Sequence, residues 1–223
     1  MHTTLTPLGI SLLFLTACNP QPNSAPQNTT SNTLSASCVQ AASTVAHHHN
    51  HIVKSTDIRQ DKMGGDFTLT DKQGKPFSIS NLKGNVVILA FGFTNCPDVC
   101  PTELFVYSEA LKHLGKQADK VKVVFVSVDP ERDTPDLINR YVQQFSPDFI
   151  GLTDTQGGQA LAHAKQLYQI VAHKTEVQSD KLYNVDHSAG AYLLDKNGNA
   201  AYFAPYGIEA LQLAEDLKQL LAE

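Results

Sequence analysis

Two cysteines, Cys96 and Cys100, stand out in this sequence because their spacing and setting could support chemistry. Three residues separate them, each is followed directly by proline, and they lie where an apolar run passes into a helical pattern. Residues i and i+4 of a helix share one face, so both sulfur atoms can point to the same place. The N-terminus of a helix also favours thiolate over thiol. The pair could hold a soft metal ion, form a redox-active disulfide, staple the structure, or be two inert buried thiols.

The patterns on either side of the pair predict where it lies in the fold. The continuous apolar, β-branched run at 85–93 predicts a strand that is buried on both faces. After the cysteines, apolar residues recur at helical spacing and predict a helix, with Pro101 suited to its first turn: Leu104, Tyr107, Leu111 and Leu114. This order places the pair at the carboxyl edge of a sheet, where α/β folds usually keep their chemistry.

The remaining folded part alternates between strand and helix patterns. A second buried strand is predicted at 122–129, and Thr134 and Pro135 are typical of the N-cap and first position of a helix. The further predicted elements are hairpins around 71–75 and 197–198 and helices at 157–169 and 207–223. This order predicts an α/β protein with a mixed central sheet flanked by helices and an N-terminal β-hairpin, similar to a thioredoxin-like fold.

Composition and charge exclude several classes of protein. The chain has 223 residues, of which 42% are hydrophobic, enough for one ordinary domain with extra residues at its ends. The formal net charge is -5 and there is no basic stripe, which argues against nucleic acid or an anionic membrane as the main partner. No phosphate-binding glycine motif is present in the sequence. A monomer is expected, because no uncovered apolar stripe argues for a dimer.

The first 18 residues are interpreted as a signal peptide. Their apolar run is too short to span a bilayer, and the residues at 15–18, Leu-Thr-Ala-Cys, resemble a bacterial lipobox. The resemblance implies that Cys18 becomes lipidated and anchors an exported protein at the periplasmic face of the cell membrane. Asn19 leaves inner or outer membrane sorting open. The alternative is a frayed apolar N-terminus with a chance cysteine.

Residues 19–56 are predicted to form a disordered tether, and residues 57–223 the folded domain. The tether is rich in Pro, Gln, Asn, Ser and Thr and has almost no aliphatic residues to bury. It contains Cys38, an unpaired thiol to which no role is assigned. It also contains a histidine tract that either collects metal or is a polar spacer: His47, His48, His49 and His51.

A third candidate ligand, His187, lies in the segment 183–195. Oxidoreductases of thioredoxin-like fold normally have two residues between their cysteines, often a Trp before them, and a cis-proline facing them. This chain has three spacer residues and no Trp, and His187 stands two residues before the position aligned with that proline. Taken alone, it would be a loop histidine satisfied by hydrogen bonds. Two thiolates with one imidazole suit copper, because thiolates select Cu(I) and imidazole also serves Cu(II).

Three segments together resemble the Sco/SenC family: FGFTNCPDVCPTEL at 91–104, VSVDPERDTP at 126–135 and YNVDHSAGAYLLDKNG at 183–198. Proteins of this family bind copper on a thioredoxin-like fold and help to assemble the binuclear copper site of cytochrome c oxidase. The resemblance runs from about 67 to 221. It implies that Cys96 and Cys100 are thiolate ligands and His187 is the imidazole ligand of one copper, Cu(I) or Cu(II). It also implies a mobile loop at about 176–186.

Two carboxylates are candidates for supporting these ligands. Asp129 follows the second buried strand and is either a carboxylate near the site or a polar strand terminus. Asp186 could orient His187 by a hydrogen bond, or could point away from it. Tyr183 and Ser188 match the family pattern, but no physical role follows for them from the sequence.

The leading hypothesis is a metallochaperone that delivers copper to the copper-acceptor subunit of cytochrome c oxidase. A second hypothesis is a thiol-disulfide reductase, in which Cys96 and Cys100 form the catalytic pair that keeps the acceptor's cysteines reduced. A copper or redox sensor is a third, and other periplasmic thiol or copper proteins are further candidate partners. A thiol peroxidase fits poorly, because Phe93 stands where that class has a threonine.

Overall fold

The computed structural model describes residues 53–223. Predictions for the signal peptide, the lipobox cysteine, Cys38 and the histidine tract lie outside these residues. The described part contains ten strands: β1 (Thr56–Asp57), β2 (Thr68–Thr70), β3 (Pro76–Ser78), β4 (Val86–Gly92), β5 (Val121–Ser127), β6 (Ile150–Leu152), β7 (Ala172–Thr175), β8 (Asn184–His187), β9 (Ala191–Leu194) and β10 (Ala200–Ala204). Its four α-helices are α1 (Val99–Leu114), α2 (Pro135–Val142), α3 (Gln159–Leu167) and α4 (Ala210–Ala222).

Six strands form the central sheet in the order β1-β10-β9-β4-β5-β6. β4 runs parallel to β5 and antiparallel to β9, so the sheet is mixed, as predicted. Every residue of β4 is buried, because the strand has neighbours on both sides and packing on both faces. α1 packs against α4, and α4 contacts β4. In this part of the chain no helix has the length and apolar character that crossing a membrane requires.

The pairing of β4 with β5 positions the site. The register places Gly92 opposite Ser127, so both strands end at the same edge of the sheet. β4 leads directly into the cysteine segment, and β5 leads into the acidic segment 129–133. Parallel strands therefore bring together two stretches that are far apart in the sequence.

Most of the predicted elements are present. β2 pairs with β3 in the expected N-terminal hairpin, and β9 pairs with β10 around the turn that contains Gly198. The N-cap prediction also holds, since the Thr134 hydroxyl accepts a hydrogen bond of 3.3 Å from the Leu137 N–H. Pro135 is the first residue of α2, where its missing N–H costs nothing.

The structure corrects the sequence prediction around His187. The family resemblance implies a loop at about 176–186, but Asn184–His187 is the strand β8, paired with β7 in a separate two-stranded sheet. The loop is therefore confined to the turn of a hairpin. β1 also begins at Thr56, one residue inside the predicted tether, and pairs with β10. These strands are short and largely polar, so they lack the alternation of apolar residues that makes a strand recognisable.

Candidate metal centre

Cys96, Cys100 and His187 converge in the folded domain. Their donor atoms, two sulfurs and an imidazole nitrogen, all lie within 4.8 Å of one another. Two contacts of 3.5 Å join them, one from Cys100 Sγ to His187 Nε2 and one from the Cys100 N–H to Cys96 Sγ. The structure thus brings together the three residues that the sequence singles out.

Cys100 lies in the first turn of α1 and is fully buried. Its sulfur packs directly against the end of β4, where a Cβ on Gly92 would lie 2.6 Å from Cys100 Sγ and 2.5 Å from the Phe125 ring. Such distances are far inside van der Waals contact, so only glycine allows the helix to approach the strand this closely. Cys96, in the turn before α1, is partly exposed. One sulfur of the site is therefore accessible and the other is not.

The two thiols differ in acidity as well as in exposure. The pKa of Cys96 is lowered, chiefly because the Cys100 thiol donates a hydrogen bond to its sulfur. Burial opposes this, while His187 and the N–H groups of Cys100 and Asp98 add to it. The pKa of Cys100 is raised, because its proton is held by the Cys96 thiolate and burial disfavours a second charge. The reduced pair therefore holds one thiolate and one thiol at neutral pH.

His187 ends β8 and presents its Nε2 atom to the cysteines. Its Nδ1 atom lies 2.8 Å from the carbonyl oxygen of Ser188. A carbonyl oxygen can only accept, so Nδ1 carries a proton and, in the neutral ring, Nε2 keeps its lone pair for a metal. The Phe93 ring packs edge-on against the imidazole at 5.7 Å between centroids. Burial lowers the pKa of His187. Hydrogen bonds with Cys96 and Ser188 raise this pKa, and the net shift is upward.

The two carboxylates predicted to support the ligands lie in different surroundings. Asp129 is buried, and its carboxylate accepts hydrogen bonds from the Tyr183 hydroxyl and the Arg132 guanidinium. Asp186 is exposed, accepts a hydrogen bond from Thr175 at 3.4 Å, and lies 3.9 Å from His173 Nε2. The contact that orients His187 is thus made by the Ser188 carbonyl and not, as predicted, by Asp186. Side chains of adjacent strand residues point to opposite faces, which explains why Asp186 turns away.

Sequence reasoning did not find Asp133, which fastens the segment before Cys96. Its carboxylate accepts hydrogen bonds from the Thr94 N–H at 3.0 Å, the Thr94 hydroxyl at 2.5 Å and the Ser127 hydroxyl at 2.7 Å. Burial raises the pKa of Asp133, although the Thr94 and Ser127 hydrogen bonds lower it in part. The acidic cluster 129–133 is a signal for this role, but in the sequence it indicates only the approach to α2.

Glu103 is the second residue that sequence reasoning missed. It lies one helical turn after Cys100, is buried, and accepts a 2.7 Å hydrogen bond from the Gly190 N–H through Oε1. This bond joins α1 to the turn between β8 and β9, close to His187. Its other oxygen, Oε2, has no partner among the described residues. Burial raises the pKa of Glu103 to about 7. An acidic residue three positions after Cys100 on the same helix face was the available signal.

An open groove of about 310 Å³ leads to the site. Residues 96–99 line one side and residues 184–187 line the other, with Phe93 and Ala189 between them. Cys96 and His187 are therefore reachable from solvent, while Cys100 lies behind them. The donor set fits a soft or borderline metal ion, because thiolates suit Cu(I) and zinc, and imidazole suits zinc and copper. The three side chains already converge, so such an ion would need little rearrangement of the backbone.

Fold and site together define a thioredoxin-like α/β protein with a candidate metal site of two cysteines and one histidine. The family model for SCO1/SenC matches residues 55–222. The chain belongs to this family. The fold class and family resemblance inferred from the sequence are confirmed.

Individual relatives agree with this assignment. An SCO2-like protein of Rickettsia felis is 40% identical over 138 residues, which cover 61% of this chain and 66% of the relative. The mitochondrial protein SCO2 of Saccharomyces cerevisiae is 42% identical over 137 residues, covering 61% of this chain and 45% of the relative. The matched region thus spans less than two thirds of the length of these relatives.

Solved structures of similar chains carry copper. Bradyrhizobium japonicum ScoI with copper bound has a TM-score of 0.63 and 41% identity, covering 71% of this chain and 99% of that one. Yeast Sco1 with copper bound has a TM-score of 0.66 and 30% identity, covering 73% of this chain and 90% of that one. The similarity includes nearly the whole of the described domain.

Proposed function

We propose that this chain binds one copper ion at Cys96, Cys100 and His187 and delivers it to the binuclear copper site of cytochrome c oxidase. The observation that carries the proposal is the convergence of the three donor atoms within 4.8 Å. Solved relatives at 41% and 30% identity have copper bound. The cytochrome c oxidase part of the proposal rests on membership of the SCO1/SenC family.

The asymmetry of the site suits uptake and release by ligand exchange. Cys96 is partly exposed and is the more acidic thiol, so it offers a thiolate to an arriving cuprous ion first. Cys100 must lose a proton before it can ligate, and His187 supplies the third donor from the opposite wall of the groove. An acceptor that enters the groove meets Cys96 and His187, while Cys100 stays behind them. The acceptor's ligands can therefore replace Cys96 and His187 before they replace Cys100.

The same asymmetry supports a second candidate function, thiol-disulfide reduction. The Cys96 thiolate would attack a disulfide sulfur of the acceptor and form a mixed disulfide, releasing one acceptor thiolate. Cys100 would then lose its proton and attack the Cys96 sulfur, which releases the second acceptor thiolate. The pair is left as a disulfide, and a dithiol reductant must supply two electrons to restore it. This chemistry needs no imidazole, so the two functions differ in their need for His187.

A Cu(I) competition titration under anaerobic conditions tests the leading function. The titration uses a reduced chain without the other thiols and the histidine tract, which is called the background chain. Its substitutions are Cys18→Ser, Cys38→Ser, His47→Gln, His48→Gln, His49→Gln and His51→Gln. We expect one tightly bound copper, with affinity lowered at least about tenfold by His187→Ala, since one of three ligands is lost. His113→Ala, an exposed change near the far end of α1, is the matched control.

The outcomes separate the two functions. If the background chain binds copper weakly, or if His187→Ala has no more effect than His113→Ala, the copper-delivery function is wrong. Retained reduction of a disulfide substrate by the same His187→Ala chain would then favour the reductase.

We also propose that Cys18 anchors the protein by a lipid at the periplasmic face of the membrane. The lipobox-like residues 15–18 support this. A SCO1/SenC family lipoprotein of Bacillus anthracis is similar to this chain, with 28% identity and a TM-score of 0.61 over 73% of this chain and 96% of that one. Incorporation of a labelled fatty acid into the expressed protein tests the proposal, and Cys18→Ser should abolish it. Equal labelling of Cys38→Ser and the unchanged chain is the control.

A further inference from the structure

We propose that Tyr183 is a positioning residue of the metal site, which sets the place of His187 relative to the cysteines by fastening the β7–β8 hairpin to the segment 129–133. The inference rests on the proposed copper function and deepens it. Tyr183 directly precedes β8, four residues before His187. It is only 7% exposed, whereas Val185 is the single buried residue of the two hairpin strands.

The hairpin needs such a fastening because it is not part of the central sheet. β7 and β8 pair only with each other among the described strands. An isolated two-stranded hairpin is marginally stable in water, so its position must come from contacts made by side chains and flanking backbone. Beyond the end that carries His187, the Ser188 N–H donates to the Val171 carbonyl at 2.9 Å, which closes the hairpin on itself. The hairpin is attached to the segment 129–133 at the other end of β8. Part of this attachment is an exposed ion pair, with 2.6 Å between Lys174 Nζ of β7 and Glu131 Oε2. The buried part is made by Tyr183.

Tyr183 makes that attachment with its hydroxyl, its carbonyl and its ring. The hydroxyl donates to Asp129 Oδ1 at 2.6 Å, and the Tyr183 carbonyl accepts from the Arg132 guanidinium at 2.8 Å. The same guanidinium lies 3.7 Å from the centre of the Tyr183 ring, and Lys174 Nζ lies 4.4 Å from it. Cation–π contacts at these distances add to the hydrogen bonds. One tyrosine therefore joins the hairpin to two charged residues of another segment.

The partners of Tyr183 are themselves held firmly. Asp129 and Arg132 form an ion pair in which the side chains are 1% and 12% exposed. The Asp129 N–H also donates to the Ser127 hydroxyl at 3.0 Å, which ties the segment to the end of β5. Further hydrogen bonds to its charged groups help to offset the cost of burying an ion pair. The Tyr183 hydroxyl donates such a hydrogen bond to Asp129 Oδ1, so removal of the hydroxyl is costly.

The same segment holds the cysteine half of the site. Asp133 binds the N–H and hydroxyl of Thr94, two residues before Cys96. Residues 129–133 are thus bonded to the cysteine segment at one end and to the histidine hairpin at the other. Through Tyr183, the separation between Cys100 Sγ and His187 Nε2 depends on this shared support.

Tyr183→Phe tests the proposal because it removes only the hydroxyl. Tyr192→Phe is a matched control, since the Tyr192 hydroxyl is equally buried and donates to the Tyr168 carbonyl at 2.6 Å, within the main sheet region. In the background chain, we expect Tyr183→Phe to lower Cu(I) affinity about tenfold, the effect of one lost hydrogen bond to a charged group. Tyr192→Phe should leave the affinity within about twofold, although both changes lower thermal stability.

A double-mutant cycle separates positioning from general loosening. If Tyr183 acts through His187, then Tyr183→Phe should have no further effect on copper affinity in a chain that already carries His187→Ala. The proposal would be overturned if Tyr183→Phe lowered copper affinity equally with and without His187→Ala. It would also be overturned if Tyr183→Phe left the affinity unchanged.

Amide hydrogen exchange in the metal-free chain provides a readout that does not depend on copper. Residues 172–175 and 184–187 should exchange faster in Tyr183→Phe than in Tyr192→Phe under conditions that give the two variants the same free energy of unfolding. If the background chain binds no copper, the proposed function fails, and this comparison still decides whether Tyr183 holds the hairpin. Identical exchange in the two variants would show that it does not.

Discussion

Cys100 Sγ and His187 Nε2 lie 3.5 Å apart although the two residues are 87 positions apart in the chain. The cysteine is held at the start of α1, and the imidazole is held at the end of a hairpin outside the central sheet. The contact therefore depends on the close packing of α1 against β4 and on the fastening of the hairpin. Each of these supports can be changed separately.

The packing of Cys100 against β4 predicts that Gly92→Ala will damage both stability and metal binding. A Cβ at this position would lie 2.6 Å from Cys100 Sγ and 2.5 Å from the Phe125 ring, so the helix or the strand must shift. We expect a loss of about 1–3 kcal/mol in the free energy of unfolding and weaker Cu(I) binding. Urea unfolding and competition titration measure the two effects.

Gly74→Ala is the control for this substitution. Gly74 has a φ of +72°, and a Cβ added there would have no other atom within 4 Å, so alanine costs only backbone strain. We expect about 1 kcal/mol of lost stability and unchanged copper affinity. A Gly92→Ala chain that behaves like Gly74→Ala in the titration would contradict the role of close packing.

The lowered pKa of Cys96 predicts an unequal reaction of the two thiols with iodoacetamide. In the reduced, metal-free background chain, Cys96 should still be alkylated at about pH 6, where an ordinary thiol with a pKa of about 8.5 is almost fully protonated. Cys100 should remain unmodified, since it is buried and its pKa is raised. Peptide mass spectrometry at a series of pH values measures both rates.

Cys100→Ala should move this reaction to higher pH. The hydrogen bond from the Cys100 thiol is the largest cause of the lowered pKa of Cys96, and alanine cannot donate it. If the pH profile of Cys96 alkylation were the same with and without Cys100, another group would have to stabilise the thiolate.

The raised pKa of Glu103 predicts a pH dependence of stability. The folded-state pKa is about 7 against an ordinary 4.5, so the folded chain binds this proton more tightly than the unfolded chain. The stabilising effect is complete below the unfolded pKa and is lost as pH rises through about 7. Over this window Glu103 should lower the free energy of unfolding by up to about 3 kcal/mol.

Glu103→Gln should remove that contribution while keeping an oxygen that accepts from the Gly190 N–H. Urea titration from about pH 4.5 to 8 measures the free energy of unfolding of both chains. As the pH rises, the Glu103→Gln chain should become more stable relative to the unchanged chain. Glu109→Gln, on the same helix but in contact with Lys112 at the surface, should show no such trend. A flat difference for Glu103→Gln would mean that its carboxyl is ionised throughout.

The bonds between Asp133 and Thr94 predict that Thr94→Val will loosen the cysteine segment. Valine keeps the shape of threonine but removes the hydroxyl that is the only donor to Asp133 Oδ1 among the described residues, while the Thr94 N–H still donates to Oδ2. We expect a loss of about 1–3 kcal/mol in unfolding free energy and faster release of Cu(I) to a chelator in stopped-flow experiments. Thr68→Val, which removes an exposed hydroxyl contact with Ser78, should change neither by a comparable amount. Equal release rates in the two variants would argue against this support.

Much of the fold could be predicted because its signals are local. β4 is a continuous apolar run, α2 begins with Thr134 and Pro135, and β9 and β10 flank a glycine turn. Each signal is contained within a few residues. β7 and β8 could not be predicted in this way, because most of their side chains are polar and they pair with each other outside the central sheet.

The sequence by itself determined that two cysteines begin a helix after a buried strand and that His187 is the candidate third ligand, since motif spacing and resemblance carry this information. Only the tertiary structure decided that Ser188 rather than Asp186 orients the imidazole, that Cys96 and Cys100 differ in acidity, and that Tyr183 rests on Asp129. These features depend on burial and on distances between residues far apart in the chain. Both arise only when the sheet and helices pack together.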